Sequence, residues 1–465
     1  MTASKRSVDF TNGPLFFKIL LYTLPIMATG LLQHLYNMAD NIVVGKFSGD
    51  VNALGAVGCT SAITALVINT MIAMSSGTAV LVSQSYGAKD NDTLSKAVHT
   101  SITFSLVIGV ALSILGVFIA RPGLILLNTD KTLLDSATLY MQIICLGIPA
   151  NAVYNFGAAI LRSVGDSKSP LLILSLAGLL NVVLNLVFVI VFKMTVDGVA
   201  LATIISQYAS AVAVVAILIK RNGESYAFKP RAMGINKPVL SRMLSLGIPA
   251  AVQSSFFSIS NIFIQSAVNT FPPEVVSAKT IATNIENTVY VLTNSFFHAA
   301  MTFTGQNLGA GKPERIKRVV LFTEMQVVLI GATLGQIILI FCEPIASLYI
   351  DARDPNRLAV LSSAIDQMNL LLPLYFICGV MEALSGALRG LGYSMLSMGI
   401  CIVGACGLRV LWILTFFKLE PLHNIVGIYL CYPISWGITA AAMAIALVIV
   451  LKKVKKKIHP EAIAQ

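Results

Sequence analysis

The chain has 465 residues, of which 56% are hydrophobic and 11% charged, with a net charge of +11 and a mean hydropathy of +0.82. Soluble domains carry about 25% charged residues, so this balance excludes a soluble globular protein and points to a chain folded in lipid. The excess of lysine and arginine reads as membrane topology and not as a nucleic-acid partner, because basic residues concentrate beside spans on the side that retains them.

Taken in chain order, apolar runs of spanning length occupy 15–44, 53–83, 97–120, 133–160, 169–192 and 197–219, then 241–268, 278–306, 316–342, 358–388, 394–417 and 425–451. The fold expected is therefore an all-α integral membrane protein of twelve transmembrane helices in two pseudo-symmetric six-helix lobes. The N-terminal lobe takes 1–222, a polar cytoplasmic linker 223–240, the C-terminal lobe 241–451, and a basic cytoplasmic tail 452–465. The first run is too long for a signal peptide and is followed by no small-residue cleavage site. With the N-terminus inside, inner segments hold 23 of the lysines and arginines against 8 in outer loops, which places both termini in the cytoplasm of a cell-membrane protein.

The lobes are repeats. "VSQSYGAKD" ending at Asp90 and "TGQNLGAGK" ending at Lys312 align Gln84 with Gln306 and Gly87 with Gly309. "LLQHLYNMADNIVVG" and "AAVQSSFFSISNIFIQ" pair Gln33 with Gln253 and Asn41 with Asn261, and "ILRSVGDS" and "ALRGLGYS" pair Arg162 with Arg389 and Gly165 with Gly392. An even number of spans per copy makes this a parallel repeat about an axis normal to the membrane. The Gln-x-x-Gly-Ala phrase closes the second span of each lobe, where a glycine just past the helix can take the left-handed conformation.

Nothing suggests catalysis. "GAGKP" has Gln306 where a phosphate loop needs its first glycine and Pro313 where it needs a magnesium-binding hydroxyl. The five histidines and seven cysteines show no metal or triad spacing, so no cofactor is expected.

Ionisable residues inside spans are costly and are candidates for function. They are Asp40, Glu286, Glu324, Glu382 and Arg409, with Asp366 near an outer end. Asn181 and Asn185 share one face of span 5, and Thr203 on span 6 lies at similar depth to them and to Asp40. These oxygens either ligate a hard cation such as sodium or join helices; the carboxylate alone suits a proton. In the second lobe Arg409 and Glu286 lie at similar depth and either form a structural pair, which would keep Glu286 charged, or stand apart; Glu382, with no cation nearer in sequence than Arg389 nearly two turns on, is the better coupling candidate of the two acids. Pro25 and Pro249, at matching points of spans 1 and 7, serve as hinges or as packing kinks.

"LYNMADNIVVG", the paired turns, "LRSVGDS", "ALRGLGYS" and "GVALATIISQ" together resemble the multidrug and toxic compound extrusion (MATE) family across practically the whole chain. The resemblance implies a secondary antiporter that exports organic, often cationic and amphipathic, compounds against sodium ions or protons by rocking of its lobes. By that resemblance Asp40, Asn181, Asn185 and Thr203 match the cation site of one branch, with Asn185 where a second Asp is usual. Another branch has acids in spans 7 and 10; here span 7 has Gln253, and Glu382 is about one turn from the span 10 position. Gln33, Gln253, Asn261, Glu286 and Arg409 are expected to line the cavity or its polar network. Partners are then small organic substrates and membrane lipids. The alternative is a flippase for lipid-linked oligosaccharides, whose relatives share the lobes but place several cations in the cavity.

Overall fold

The computed structural model describes residues 9–47, 53–127, 129–350 and 355–458, without the side chains of 37–47, 53, 54, 62 and 421. Helices follow one another with short turns: α1 Leu15–Phe47, α2 Ala53–Ala88, α3 Asn91–Leu126, α4 Lys131–Leu146, α5 Ile148–Ser163, α6 Lys168–Leu186, α7 Val196–Lys220, α8 Lys237–Val268, α9 Pro273–Gly309, α10 Pro313–Ile340, α11 Cys342–Ser347, α12 Arg357–Leu371, α13 Tyr375–Gly390, α14 Ser394–Cys401, α15 Leu408–Leu414 and α16 Ile425–Ile458. Among the described residues there is no strand, as lipid demands of a chain that must satisfy its own backbone.

Among the described residues, ten helical segments are each long and apolar enough to cross a membrane. An eleventh span is the pair α4 and α5, bent by 42° where Gly147 and Pro149 interrupt the backbone ladder. The twelfth is α9, whose 37 residues give ample length while Thr280, Asn284, Glu286 and Asn287 lower its hydropathy. Spans 10 and 11 are each built from two helices: Pro373 breaks the former into α12 and α13, and a π turn over Ile402–Gly407 joins α14 to α15. A second π turn, Val187–Val191, ends span 5 after α6.

Internal contacts divide the chain into two compact units: Met1–Asp9 with Ala28–Ala251, and Phe10–Met27 with Val252–Gln465. The divisions fall inside α1 and α8, two residues beyond Pro25 and two beyond Pro249.

In the first unit Leu81, Val98, Phe156, Ile160, Leu161 and Val214 form a buried core. The linker before α8 closes onto it. Tyr226 is 1% exposed, and burial pushes its phenol up to about 12. Beyond it the Lys229 N–H donates to Nε2 of His99 at 3.0 Å, and the Asn236 N–H donates to the Thr100 hydroxyl at 3.1 Å.

The second unit has its own core around Met368, Tyr375, Leu388, Trp436 and Met443, and its own leader. Phe10, 1% exposed, stacks on Phe303 with ring centroids 3.9 Å apart. Its backbone N–H donates to Oε1 of Gln306 at 3.3 Å, and its carbonyl accepts from Nε of Arg315 at 3.2 Å.

The repeat is visible in how its helices end. After α2, the Asp90 N–H reaches the Ser85 carbonyl and the Lys89 N–H the Tyr86 carbonyl; after α9, Lys312 and Gly311 make the same two bonds to Asn307 and Leu308. This is the Schellman closure, and its left-handed residue is Lys89 (φ 56°) in one copy and Gly311 (φ 66°) in the other. The glycines expected to play that part, Gly87 and Gly309, are helical; each helix runs about two residues further because the preceding residues still find carbonyl partners. The same closure ends α5 at Gly165 (φ 91°) and α13 at Gly392 (φ 88°). Asp90 then opens α3 by accepting from the Thr93 backbone N–H at 3.0 Å, and hydrogen bonding from Thr93 holds its carboxyl below the ordinary value.

Candidate functional site

In the first unit the polar residues of spans 5 and 6 meet. Asn181 and Asn185 are 6% and 0% exposed, and Asn185 Nδ2 donates to Asn181 Oδ1 at 3.3 Å. Asn181 Nδ2 reaches the Thr203 hydroxyl on α7 at 3.5 Å, and that hydroxyl donates back to the Val199 carbonyl at 2.9 Å. The result is a chain of amide and hydroxyl groups crossing from α6 to α7, one turn short of the π turn that closes span 5. Such wide turns occur often where a helix is shaped for function.

Span 1 is seated beside this chain. Tyr36 donates its hydroxyl to the Ser175 carbonyl at 3.2 Å, and its ring fills the space that a side chain at Gly178 would need. Asp40 follows Tyr36 by four residues in α1, but its side chain lies outside the described residues. Gln33 is exposed.

The second unit is organised differently. Gln253 of α8 is 5% exposed and accepts from Nη2 of Arg389 at 2.8 Å, and the guanidinium lies over the Phe297 ring at 5.3 Å. Its repeat mate Gln33 has no such burial, so equivalent positions do different work. Asn261, on the same helix, is exposed. Arg389, one of the basic residues of the inner segments, is buried at 5% exposure. Burial of a helix-terminal arginine depends on partners from α8 and α9, which a count of basic residues does not contain.

Of the two arrangements their similar depth left open, Glu286 and Arg409 stand apart, with no ion pair between them among the described residues. Glu286 instead accepts from Nε2 of Gln367 on α12 at 3.1 Å. Arg409 donates from Nε to the Ser435 hydroxyl on α16 at 3.0 Å, and its guanidinium lies 4.8 Å from the Tyr432 ring centroid and 5.9 Å from those of Trp436 and Phe257. Depth along the membrane normal fixed neither side chain's direction around its helix. Glu382 of α13 is 9% exposed, close enough to Arg389 and Arg409 to be attracted by both but in salt-bridge contact with neither. Glu324 is half-buried in α10. Among the described residues no cluster of histidine, cysteine, aspartate and glutamate is arranged to hold a metal ion.

Comparison with known proteins gives one answer over most of the chain. The MatE family model matches residues 25–187 and 249–415. The "Probable multidrug resistance protein YoeA" of Bacillus subtilis is 27% identical over 428 residues, covering 90% of each chain. The "FAD transporter" of Shewanella oneidensis is 26% identical over 408 residues, 86% of this chain and 87% of that one. Among solved structures, a MATE crystal structure in the bent conformation superposes with a TM-score of 0.89 at 20% identity, covering 98% of this chain and 100% of the other. An outward-facing multidrug resistance MATE family transporter gives 0.88 at 21% identity over the same shares. At these identities the structural likeness shows the fold, which is the twelve-helix, two-lobe membrane fold.

Proposed function

The chain belongs to the MatE family, and from that membership we propose that this multidrug efflux transporter is a secondary antiporter, exporting amphipathic organic compounds while sodium ions or protons move inward. It is an integral membrane protein and a transporter in place of an enzyme. The observation that carries the reading is the buried Asn181, Asn185 and Thr203 chain, with α1 seated on α6 through Tyr36 so that Asp40 falls one turn further on. Buried amides and a hydroxyl that bridge two spans supply oxygen ligands for a hard cation, and in this reading Asp40 supplies the charge that retains it. One inward charge contributes roughly 2.3 kcal/mol per 100 mV of membrane potential, enough to drive accumulation of a second solute outside.

In this reading both termini are cytoplasmic, and Pro25 and Pro249 act as the hinges of a rocking-lobe cycle. Each sits where its helix passes from one compact unit to the other, and each removes a backbone hydrogen bond there. Glu382 is the second coupling candidate, buried and free of a salt bridge. The flippase alternative draws on buried cations, of which the second unit has two among the described residues, Arg389 and Arg409; Arg389 is engaged by Gln253 and Phe297, which leaves one guanidinium where a pyrophosphate needs several donors.

Efflux of a fluorescent organic cation from proteoliposomes, under an imposed sodium gradient and separately a proton gradient, tests the proposal. Wild type is expected to respond to one gradient and Asp40→Asn to neither. Equal behaviour of the two proteins under both gradients overturns the role of Asp40.

A further inference from the structure

Span 12 ends in charge. α16 stays helical to Ile458 and carries Lys452, Lys453, Lys455, Lys456 and Lys457, with no acidic residue along its 34 residues. At 1.5 Å per residue the helix is about 51 Å long against a hydrocarbon core of about 30 Å, so the lysine turns reach the headgroup region. Lys452 and Lys456, like Lys453 and Lys457, are four apart, and like charges at that spacing repel. A helix C-terminus favours cations in its last turn, which holds Lys455, Lys456 and Lys457, but does little for Lys452 and Lys453 a turn earlier.

α10 begins beside this end. Its Glu314 takes Lys455 at 2.7 Å, and its Ile316 shares a buried core with Val450 and Val454 of α16. Because span 9 leaves this face of the membrane and span 12 returns to it, Lys317 and Arg318, three and four residues after Glu314, lie level with Lys452, three before Lys455. The three stand one turn nearer the bilayer centre than the ion pair. All are exposed, and none has a hydrogen bond or ion pair among the described residues. Deeper still, at spacings of three or four that keep to the same helix faces, Leu321 and Met325 of α10 and Val448 and Ile445 of α16 are exposed. The result is a cationic rim above an apolar wall.

We propose that the adjoining ends of α10 and α16 form a docking surface for an anionic phospholipid, its phosphates on Lys317, Arg318 and Lys452 and its acyl chains on the wall below. Basic sites between spans at a membrane face hold such headgroups, and the Arg318 fork adds paired donors to a phosphate. A lipid with two phosphates engages both helices at once and fastens the end of span 12 to span 9. The surface rests on the membrane fold and not on the antiporter reading.

Cardiolipin, phosphatidylglycerol and phosphatidylcholine, each labelled on an acyl chain, are titrated onto the full-length protein in a neutral detergent, and binding is read by fluorescence anisotropy. Wild type is expected to bind cardiolipin roughly tenfold or more tighter than phosphatidylcholine, with phosphatidylglycerol between them, since cationic contacts to phosphate add with its charge. Lys317→Gln/Arg318→Gln and Lys452→Gln/Lys456→Gln should each weaken cardiolipin about fivefold or more and leave phosphatidylcholine unchanged. Lys168→Gln/Lys237→Gln removes equal charge from exposed helix starts of the first unit and should change cardiolipin less than about twofold. Equal loss in that control shows attraction to net charge alone and overturns the surface, as does cardiolipin bound no tighter than phosphatidylcholine or loss in neither pair. Loss from the α16 pair alone leaves a tail anchor and overturns the two-helix surface. Wild type at raised salt needs no variant: cardiolipin binding should weaken while phosphatidylcholine binding holds, and an unchanged preference overturns the proposal.

Discussion

Arg389 donates to Gln253 at 2.8 Å across α13 and α8, with both side chains 5% exposed. A hydrogen bond from a buried cation stabilises by about 1.5–3 kcal/mol, and leaving that cation without its acceptor costs at least as much. Gln253→Ala is therefore expected to lower the melting temperature of the purified protein clearly, and Gln253→Glu, which keeps an acceptor oxygen, to hold it near wild type. Melting curves in detergent decide the matter: an unchanged Gln253→Ala midpoint removes this bond from the account of stability.

The leader before span 1 makes a second, independent claim on stability. Phe10 stacks on Phe303 and meets Tyr22 edge-on at 5.1 Å, while Lys312 and Arg315 hold the carbonyls of Thr11, Asn12 and Gly13. Truncating a fully buried phenylalanine costs about 3–5 kcal/mol. Phe10→Ala should lower the melting temperature and open the segment around residues 10–14 to protease. Resistance equal to wild type would show that the polar clamps hold the leader without the ring.

What was legible in the sequence follows from what each signal encodes. The turn pairs Gln84 with Gln306 and Gly165 with Gly392 were readable because closing a helix imposes a local backbone requirement, written in a few adjacent residues. Asn181 and Asn185 were readable as one face because four residues make about one turn. The burial of Arg389 was not legible because its partners, Gln253 and Phe297, lie 136 and 92 positions away. Whether Arg409 and Glu286 pair was not legible for a related reason: depth follows from position in a span, but direction follows from packing against α12 and α16. The leader's clamp, joining Phe10 to Gln306, spans 296 positions and leaves no local trace.

The two copies of the α2 and α9 closure offer a matched experiment on backbone strain. Lys89 and Gly311 occupy one repeat position with φ of 56° and 66°, and nothing lies within 4 Å of a side chain added at Gly311. The left-handed conformation costs a residue bearing Cβ roughly 1–2 kcal/mol. Lys89→Gly should therefore raise stability by a part of that amount, less the entropy that glycine adds to the unfolded chain, and Gly311→Ala should lower it by about 1 kcal/mol. Opposite shifts in melting temperature confirm that conformation, not contact, sets the residue preference; equal shifts would point to the lysine side chain instead.

Asn185 offers the sharpest test of the cation reading, because its Nδ2 now donates to Asn181 Oδ1 at 3.3 Å in a site with no exposure. Asn185→Asp replaces that donor with a carboxylate oxygen, so that two acceptors face one another. Asn181 has no free choice of rotation to relieve this, since turning its amide withdraws the donor that reaches Thr203, whose own proton goes to the Val199 carbonyl. The variant is thus destabilised without a cation, and the added charge lets a bound sodium ion neutralise the clash. A ligand that binds the folded state alone raises stability in proportion to the logarithm of its concentration over its dissociation constant. The expected outcome is a lower melting temperature than wild type in choline chloride, a steeper rise on adding sodium chloride, and half-saturation at a sodium concentration at least tenfold lower. If wild type and Asn185→Asp show the same dependence on sodium, the chain of amides and hydroxyl joins α6 to α7 and does not hold the coupling ion.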